Sequence, residues 1–335
     1  MNFKFVEDGG YRYYHHPRLK LKVIIAIFIL IIIFVLVNRT NLYSTFCNCN
    51  GYTIKELNNY FIINDNNIDV NKKITIALLD SGIDPEIISQ DKILFFKDFI
   101  NYKSSTYDDN GHGTDIASII VGNDEYEGIN DTLELVSLKV INKNSISPYY
   151  ALINSLKWVI NNCSEYNIKF ICMSFGFSER LYLDQYLLDL FKIISEKGIV
   201  VVTSAGNTGD NRLSFPALLD NVISVGSLSY VPNSNININN SYMSEFSCFS
   251  IEHNKPDLYA PGENIIVPFN NTDTKDKCHK LVSGTSYSAG MVCAQLATLY
   301  QVYNISSSNI IEELTKYFDN SIVFGDETQG VYNYE

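Results

Sequence analysis

Residues 73–84 read Lys73-Ile74-Thr75-Ile76-Ala77-Leu78-Leu79-Asp80-Ser81-Gly82-Ile83-Asp84, and this stretch decides the fold. Ile74–Leu79 is an almost unbroken apolar run rather than an alternating one. A short run of that kind marks a strand buried on both faces, as in a parallel sheet covered by helices. It stops at a carboxylate, and Ser81-Gly82 then turns the chain. Working outward, the same grammar repeats. Helical spacing covers Gly113–Val121, Tyr149–Cys163, Leu183–Glu196 and Ser288–Val302. Strand-like runs cover Leu133–Ile141, Lys169–Ser174, Gly198–Ser204 and Val222–Ser227. Strands alternating with helices predict an α/β fold: three layers, a mostly parallel doubly wound sheet, helices on both faces. Residues 229–244 and 268–280 are polar and read as surface loops. There is no internal repeat and no sign of a second domain.

Three motifs stand at the ends of these elements. Asp80-Ser81-Gly82 follows a strand. Asn110-Gly111-His112-Gly113-Thr114 opens a helix, and Ser283-Gly284-Thr285-Ser286 opens another. Active sites of open parallel sheets gather at the carboxyl ends of the strands. Taken singly, each residue has a plainer reading. Asp80 is a strand-end cap, His112 a structural histidine, Ser286 an N-cap and Asn207 a turn residue. Four such motifs in order, each at a fitting element end, carry more weight than any one.

With Ser204-Ala205-Gly206-Asn207 as the fourth motif, residues 55–325 resemble the subtilisin-like serine peptidases. The order Asp, His, Ser along the chain is the one known from subtilisin itself. The resemblance implies a catalytic triad of Asp80, His112 and Ser286, with the Asn207 amide in the oxyanion site. The chemistry suits the residue types. A serine hydroxyl is a weak nucleophile until a base accepts its proton, and a histidine can take that proton and return it to the leaving amine. The resemblance also makes Ile171–Gly176 a strand along which an extended peptide pairs. Ser174, Phe175 and Gly176 on one side and Ala205 and Gly206 on the other would wall the pocket for the residue before the cut.

Departures from the family pattern are visible. Phe177 stands where many relatives have a second glycine. Tyr287-Ser288-Ala289-Gly290-Met291 replaces the usual Met-Ala-Ser/Thr-Pro, and Asp115 replaces a common histidine. Gly122–Gly128 is brief for the calcium loop of some relatives. Asp124, Glu125 and Glu127 could still hold a structural calcium, but without a clear loop for it they read first as a solvated acidic loop, and no cofactor is required. A catalytically silent, peptide-binding relative is the alternative of a different class.

At the other end, Val23–Val37 is fifteen consecutive apolar residues. A helix of that length reaches about 22 Å against a ~30 Å hydrocarbon core, so Leu19, Leu21 and snorkelling Lys20, Lys22 and Arg39 would complete a span over 19–38. A cleaved signal peptide competes, although no small-x-small site follows Val37. Basic residues concentrate before the segment, which predicts a cytoplasmic N-terminus (1–18), a single-pass anchor in the cell membrane and a catalytic body outside. The expected division continues with a stalk at 39–54, the peptidase domain at 55–325 and a tail at 326–335. About 34 residues separate Arg39 from the first core strand, too few for a prodomain that assists folding. The narrowest expectation is a maturation or leader peptidase acting on exported peptides.

Charge and cysteines bound the rest. Residues 40–335 carry 19 basic and 35 acidic residues, a net of −16, which argues against nucleic acid and anionic lipid as partners and mildly favours basic peptides, while the resemblance implies peptide or protein substrates. A monomer is expected. The seven cysteines fit neither a disulfide scaffold nor a zinc site. Cys163, Cys172 and Cys293 lie in apolar runs and read as buried thiols. Cys248 and Cys278 are the candidate pair, while Cys47 and Cys49 follow the apolar segment without a lipoprotein processing box.

Overall fold

The computed structural model describes residues 51–58, 72–177, 181, 184–230, 240–270, 277–303 and 323–324. The 19–38 segment lies outside them. Among the described residues, no helix is long and apolar enough to cross a membrane.

The elements in chain order are α1 (Ile54–Asn58), β1 (Thr75–Asp80), β2 (Ile93–Asp98), α2 (His112–Val121), β3 (Glu134–Lys139), α3 (Tyr149–Asn162), β4 (Ile168–Met173), α4 (Gln185–Glu196), β5 (Val200–Ser204), β6 (Val222–Tyr230), β7 (Ser241–Met243), β8 (Leu258–Pro261), β9 (Ile265–Asn270), β10 (Lys277–Val282), α5 (Thr285–Tyr303) and β11 (Val323–Phe324). The main sheet runs β11-β8-β6-β5-β4-β1-β3-β2, with β7 on β6. Every pairing among β2, β3, β1, β4, β5, β6 and β8 is parallel, whereas β7 and β11 are antiparallel. The chain lays β2 and β3 on one side of β1, then returns to build β4, β5, β6 and β8 on the other. The order therefore reverses at β1, and a crevice at such a switch point is where open α/β sheets bind ligands.

All six residues of β1 are buried, and successive side chains enter different cores. Ile76 and Leu78 pack with Ile116, Ile119 and Ile120 of α2 and with Ala289 and Met291 of α5. Ala77 and Leu79 pack with Leu152, Leu156 and Val159 of α3 and with Leu187, Phe191 and Ile194 of α4. Burial on both faces explains the continuous apolar run. It also puts the helices that begin at His112 and Thr285 on one face of the sheet. α5 is buried on nearly every side, so it shows no polar stripe.

The structure corrects several expectations. The excursion at 268–280 is not simply a loop, because Pro268–Asn270 and Lys277–Lys280 belong to a two-stranded antiparallel hairpin, β9–β10. Pro268 and the mixed polarity of Lys277-Cys278-His279-Lys280 conceal those strands from a reading by pattern. Ser229 and Tyr230 likewise end β6 and pair with Tyr242 and Ser241 of β7. The domain also starts before residue 55: the Tyr52 N–H donates to Asn264 O (2.8 Å) and Tyr52 O accepts from the Ile266 N–H (2.9 Å). No disulfide joins Cys248 to Cys278. The Cys248 thiol instead packs at Thr208, 3.1 Å from Oγ1.

Candidate active site

Asp80 is the last residue of β1, and its side chain is fully buried. Its Oδ1 accepts the Ser81 N–H (2.7 Å) and lies 2.8 Å from His112 Nδ1. The carboxylate thus selects the tautomer with the proton on Nδ1 and leaves Nε2 as the base. A quarter of the His112 side chain remains exposed. Burial alone would lower its pKa, but the charge of Asp80 and the hydrogen bond to it, then Asp115 and Asp108, outweigh that and raise it to about 9.

Local sequence brings the two residues together. A Cβ on Gly113 would stand 2.2 Å from Gly82 O and 3.1 Å from Asp80 Cβ, so only glycine lets the first turn of α2 abut the end of β1. The Gly113 N–H then donates to Ser81 Oγ (2.8 Å). Asp108 secures the same turn. Its Oδ1 accepts the Gly111 N–H (2.8 Å) and its Oδ2 accepts the Thr114 hydroxyl (2.7 Å) and N–H (3.0 Å). Behind the pair, the fully buried Lys139 donates from Nζ to Asp109 Oδ1 (2.6 Å), Ile141 O (2.9 Å) and Ser81 O. It ties the segment after Asp80 to the segment before His112. Sequence reasoning passed over Asp108 and Lys139. The aspartate three residues before a helical glycine turn was a legible capping signal, whereas nothing in the pattern of β3 marked Lys139.

Ser286 is the second residue of α5 and is buried. Its hydroxyl donates to Ser174 O (2.7 Å). The aromatic ring next to it, Tyr287, lies with its centroid 5.7 Å from the His112 ring. The structure thus joins Asp80 and His112 directly and brings the Ser286 helix alongside. In this state the hydroxyl points at Ser174.

Asn207 is fixed by its oxygen. Oδ1 accepts both the Thr285 N–H (2.9 Å) and the Thr285 hydroxyl (2.9 Å), so Nδ2 is the end that faces elsewhere. A Cβ on Gly284 would lie 3.3 Å from that Nδ2, and Gly284 has a φ of +155°. Thr285 Oγ1 in turn accepts the Gly206 N–H (3.2 Å). The start of α5 and the 206–207 segment are therefore one hydrogen-bonded unit, a role for Thr285 that sequence reasoning missed.

The predicted pocket walls are both at this place. Ser214 stands between them: its Oγ lies 2.9 Å from a Cβ built on Gly176 and 3.1 Å from one built on Gly206. The Ser214 N–H donates to Ala205 O (3.2 Å). Phe177 exchanges two backbone hydrogen bonds with Phe215, each 3.0 Å. Phe175 rests edge-on against Phe177 (5.4 Å between centroids).

The subtilase family profile matches residues 71–317, a span that holds every residue named above. The chain belongs to the subtilase family. This subtilase is 29% identical to serine protease AprX of Bacillus subtilis (strain 168) over 291 residues, 78% of this chain and 64% of AprX. It is 31% identical to the major intracellular serine protease of the same organism over 68% of each chain. It is 30% identical to subtilisin-like protease 3 of Plasmodium falciparum (isolate 3D7), over 68% of this chain but 30% of that one. The chain thus spans under two thirds of some of the curated relatives it matches. Among solved structures, sphericase superposes with a TM-score of 0.64 at 20% identity, covering 80% of this subtilase and 90% of sphericase. The S41 psychrophilic protease gives 0.63 at 21%. Both establish the fold.

Among the described residues, no three His, Cys, Asp or Glu side chains are grouped to hold an ion. In the acidic loop, Glu127 pairs with Lys55 (3.0 Å) and Asn123 Oδ1 accepts the Glu125 and Tyr126 N–H groups (2.9 and 2.8 Å).

Proposed function

We propose that this subtilase is a serine endopeptidase that cleaves peptide bonds through an acyl-enzyme, with Asp80, His112 and Ser286 as its triad. The observation that carries the reading is the 2.8 Å Asp80–His112 bond at the carboxyl end of β1, with Ser286 on the neighbouring helix of the same face. The route requires the Ser286 hydroxyl to leave Ser174 O and turn toward Nε2 of His112, and rotation about χ1 is the motion open to it. His112 removes the proton as Oγ attacks the carbonyl, and Asp80 stabilises the imidazolium. The Asn207 Nδ2–H and the Ser286 N–H at the helix start donate to the oxyanion. His112 then protonates the leaving amine, and water repeats the sequence to release the acyl group. Every group this route uses is a side chain or a backbone N–H of the chain.

The substrate lies as an added strand along Ser174–Gly176, with the side chain before the cut directed toward the Gly176 and Gly206 segments and limited in depth by Ser214 between them. Phe175 and Gly176 lie just past the end of β4, next to the Ser174 O that holds the Ser286 hydroxyl, which supports that edge as the pairing site. The acidic body favours peptide over nucleic-acid substrates. The test is hydrolysis of an unstructured polypeptide by the full chain. Wild type cleaves it, and Ser286→Ala reduces turnover by ~10⁴-fold or more. A folded wild type that binds peptide but never cuts it is a peptide-binding relative instead.

The apolar segment 19–38 anchors the enzyme with its body outside the membrane, where maturation of exported peptides is the role that fits. The support is the residue pattern and the basic residues before it. Alkaline carbonate extraction and external protease digestion of cells check it. Release of the full-length chain by carbonate, or protection of the body from added protease, contradicts it.

A further inference from the structure

Asp115 occupies the position one turn after His112 on α2, and its side chain is 6% exposed. Residues three apart on a helix share a face, so this carboxylate lies on the flank that carries the imidazole. Its Oδ2 is 2.9 Å from Nζ of Lys280. Lys280 comes from β10, so the pair joins the β9–β10 hairpin to the helix that begins at His112. The same ammonium reaches the start of that helix, since a Cβ on Gly111 would stand 3.8 Å from Nζ. A buried carboxylate is costly without a partner, and here the partner arrives from a separate sheet.

We propose that Asp115 and Lys280 form a positioning pair that sets the proton affinity of His112. The inference rests on His112 being the general base where it concerns activity, but not where it concerns the imidazole itself. The charged and titratable groups that face His112 can be named by element. Asp80 comes from β1, Asp108 from the segment before α2, Asp115 from α2 and Tyr287 from α5, while Lys280 of β10 reaches Asp115 and the Gly111 position beside the imidazole. β9, which also packs on α2, carries no ionisable side chain. Lys139 is committed to Asp109 and two carbonyls. Three carboxylates thus favour the imidazolium, and Lys280 is the cation that offsets the one nearest to it. Burial drives Asp115 up, Lys280 and His112 pull it back, and the balance puts it at about 6. Above that pH the ion pair is formed. A base held too firmly in its protonated state does not accept the serine proton, so the Lys280 counter-charge keeps His112 usable at lower pH than its carboxylates alone would allow.

The signs follow. Asp115→Asn removes a negative charge and leaves Lys280 uncompensated, so His112 loses its proton at lower pH. Lys280→Met leaves Asp115 uncompensated, so His112 holds its proton to higher pH. The double variant restores neutrality and falls between them.

The experiment is an imidazole NMR titration of the full chain with labelled histidine, His112→Gln identifying the resonance. The acid limb of kcat/KM is measured alongside it. The expected result is a pKa for Asp115→Asn about 0.5–1 unit below wild type, one for Lys280→Met above wild type by a similar amount, and the double between the two. Titrations within ~0.2 unit of wild type in all three variants, or the reverse order, overturn the proposal, whatever happens to the melting temperature. If the resonance moves in the stated order but the acid limb does not follow, the pair stands and His112 is not the catalytic base.

Discussion

Asn207 shows how a single residue is made useful. Its oxygen is taken twice by Thr285, so only the amide hydrogens are left to meet a developing charge. Asn207→Asp keeps the size and removes the donor. We expect kcat to fall ~10²–10³-fold with KM little changed, the loss known for this donor in subtilisin itself. A fall in kcat/KM that resides wholly in KM contradicts the assignment. His112 offers a second test at this scale. Its folded pKa, about 9, lies above the ordinary histidine value of 6.5, so the folded state binds the proton more tightly. The stability this contributes is complete below pH 6.5 and is lost as pH rises through about 9. Chemical denaturation of wild type and His112→Gln at pH 6 and pH 10 should give a difference that shrinks at the higher pH. A constant difference contradicts the sign.

At the scale of elements, the contact between the end of β1 and the start of α2 is what makes a site. Gly113→Val would push a branched side chain into Gly82 O and Asp80 Cβ. It should abolish turnover and cost roughly 1–3 kcal/mol of stability by overpacking, while the distant change Lys192→Ala on the exposed face of α4 should alter neither. Retention of wild-type kcat by a folded Gly113→Val chain would show that this contact does not position His112. The elements were legible to differing degrees. β1, β4, β5 and β6 are short, largely apolar and buried runs and were found within two or three residues of their ends. The start of α5 was set three residues late, because Thr285-Ser286-Tyr287 is a weak helical opening and its cap comes from Asn207, 78 residues away. β2 is an edge strand with mixed burial, and β9–β10 hides behind Pro268 and polar residues. Asp80, His112, Ser286 and Asn207 were legible as candidates because each stands beside a glycine or a small residue near an element end, and the structure joins Asp80 to His112 and Asn207 to the start of the Ser286 helix. Lys139, Thr285 and Ser214 act through tertiary contacts that leave no local pattern.

Over the whole molecule, the sheet order matters more than any element. Because β2 and β3 lie on one side of β1 and the later strands on the other, the crevice opens where Asp80 stands. α2 and α5 share the face above it, which sets His112 against Asp80 and the start of α5 alongside, and the proposed mechanism requires residues 80, 112 and 286 to converge there. The most direct test of that convergence is labelling of the folded full-length protein with a fluorophosphonate, followed by peptide mapping. The account predicts one modified residue, Ser286, with labelling at least ~10³-fold slower in His112→Ala. Labelling at another residue, or a Ser286 that reacts as fast without His112 as with it, contradicts the account.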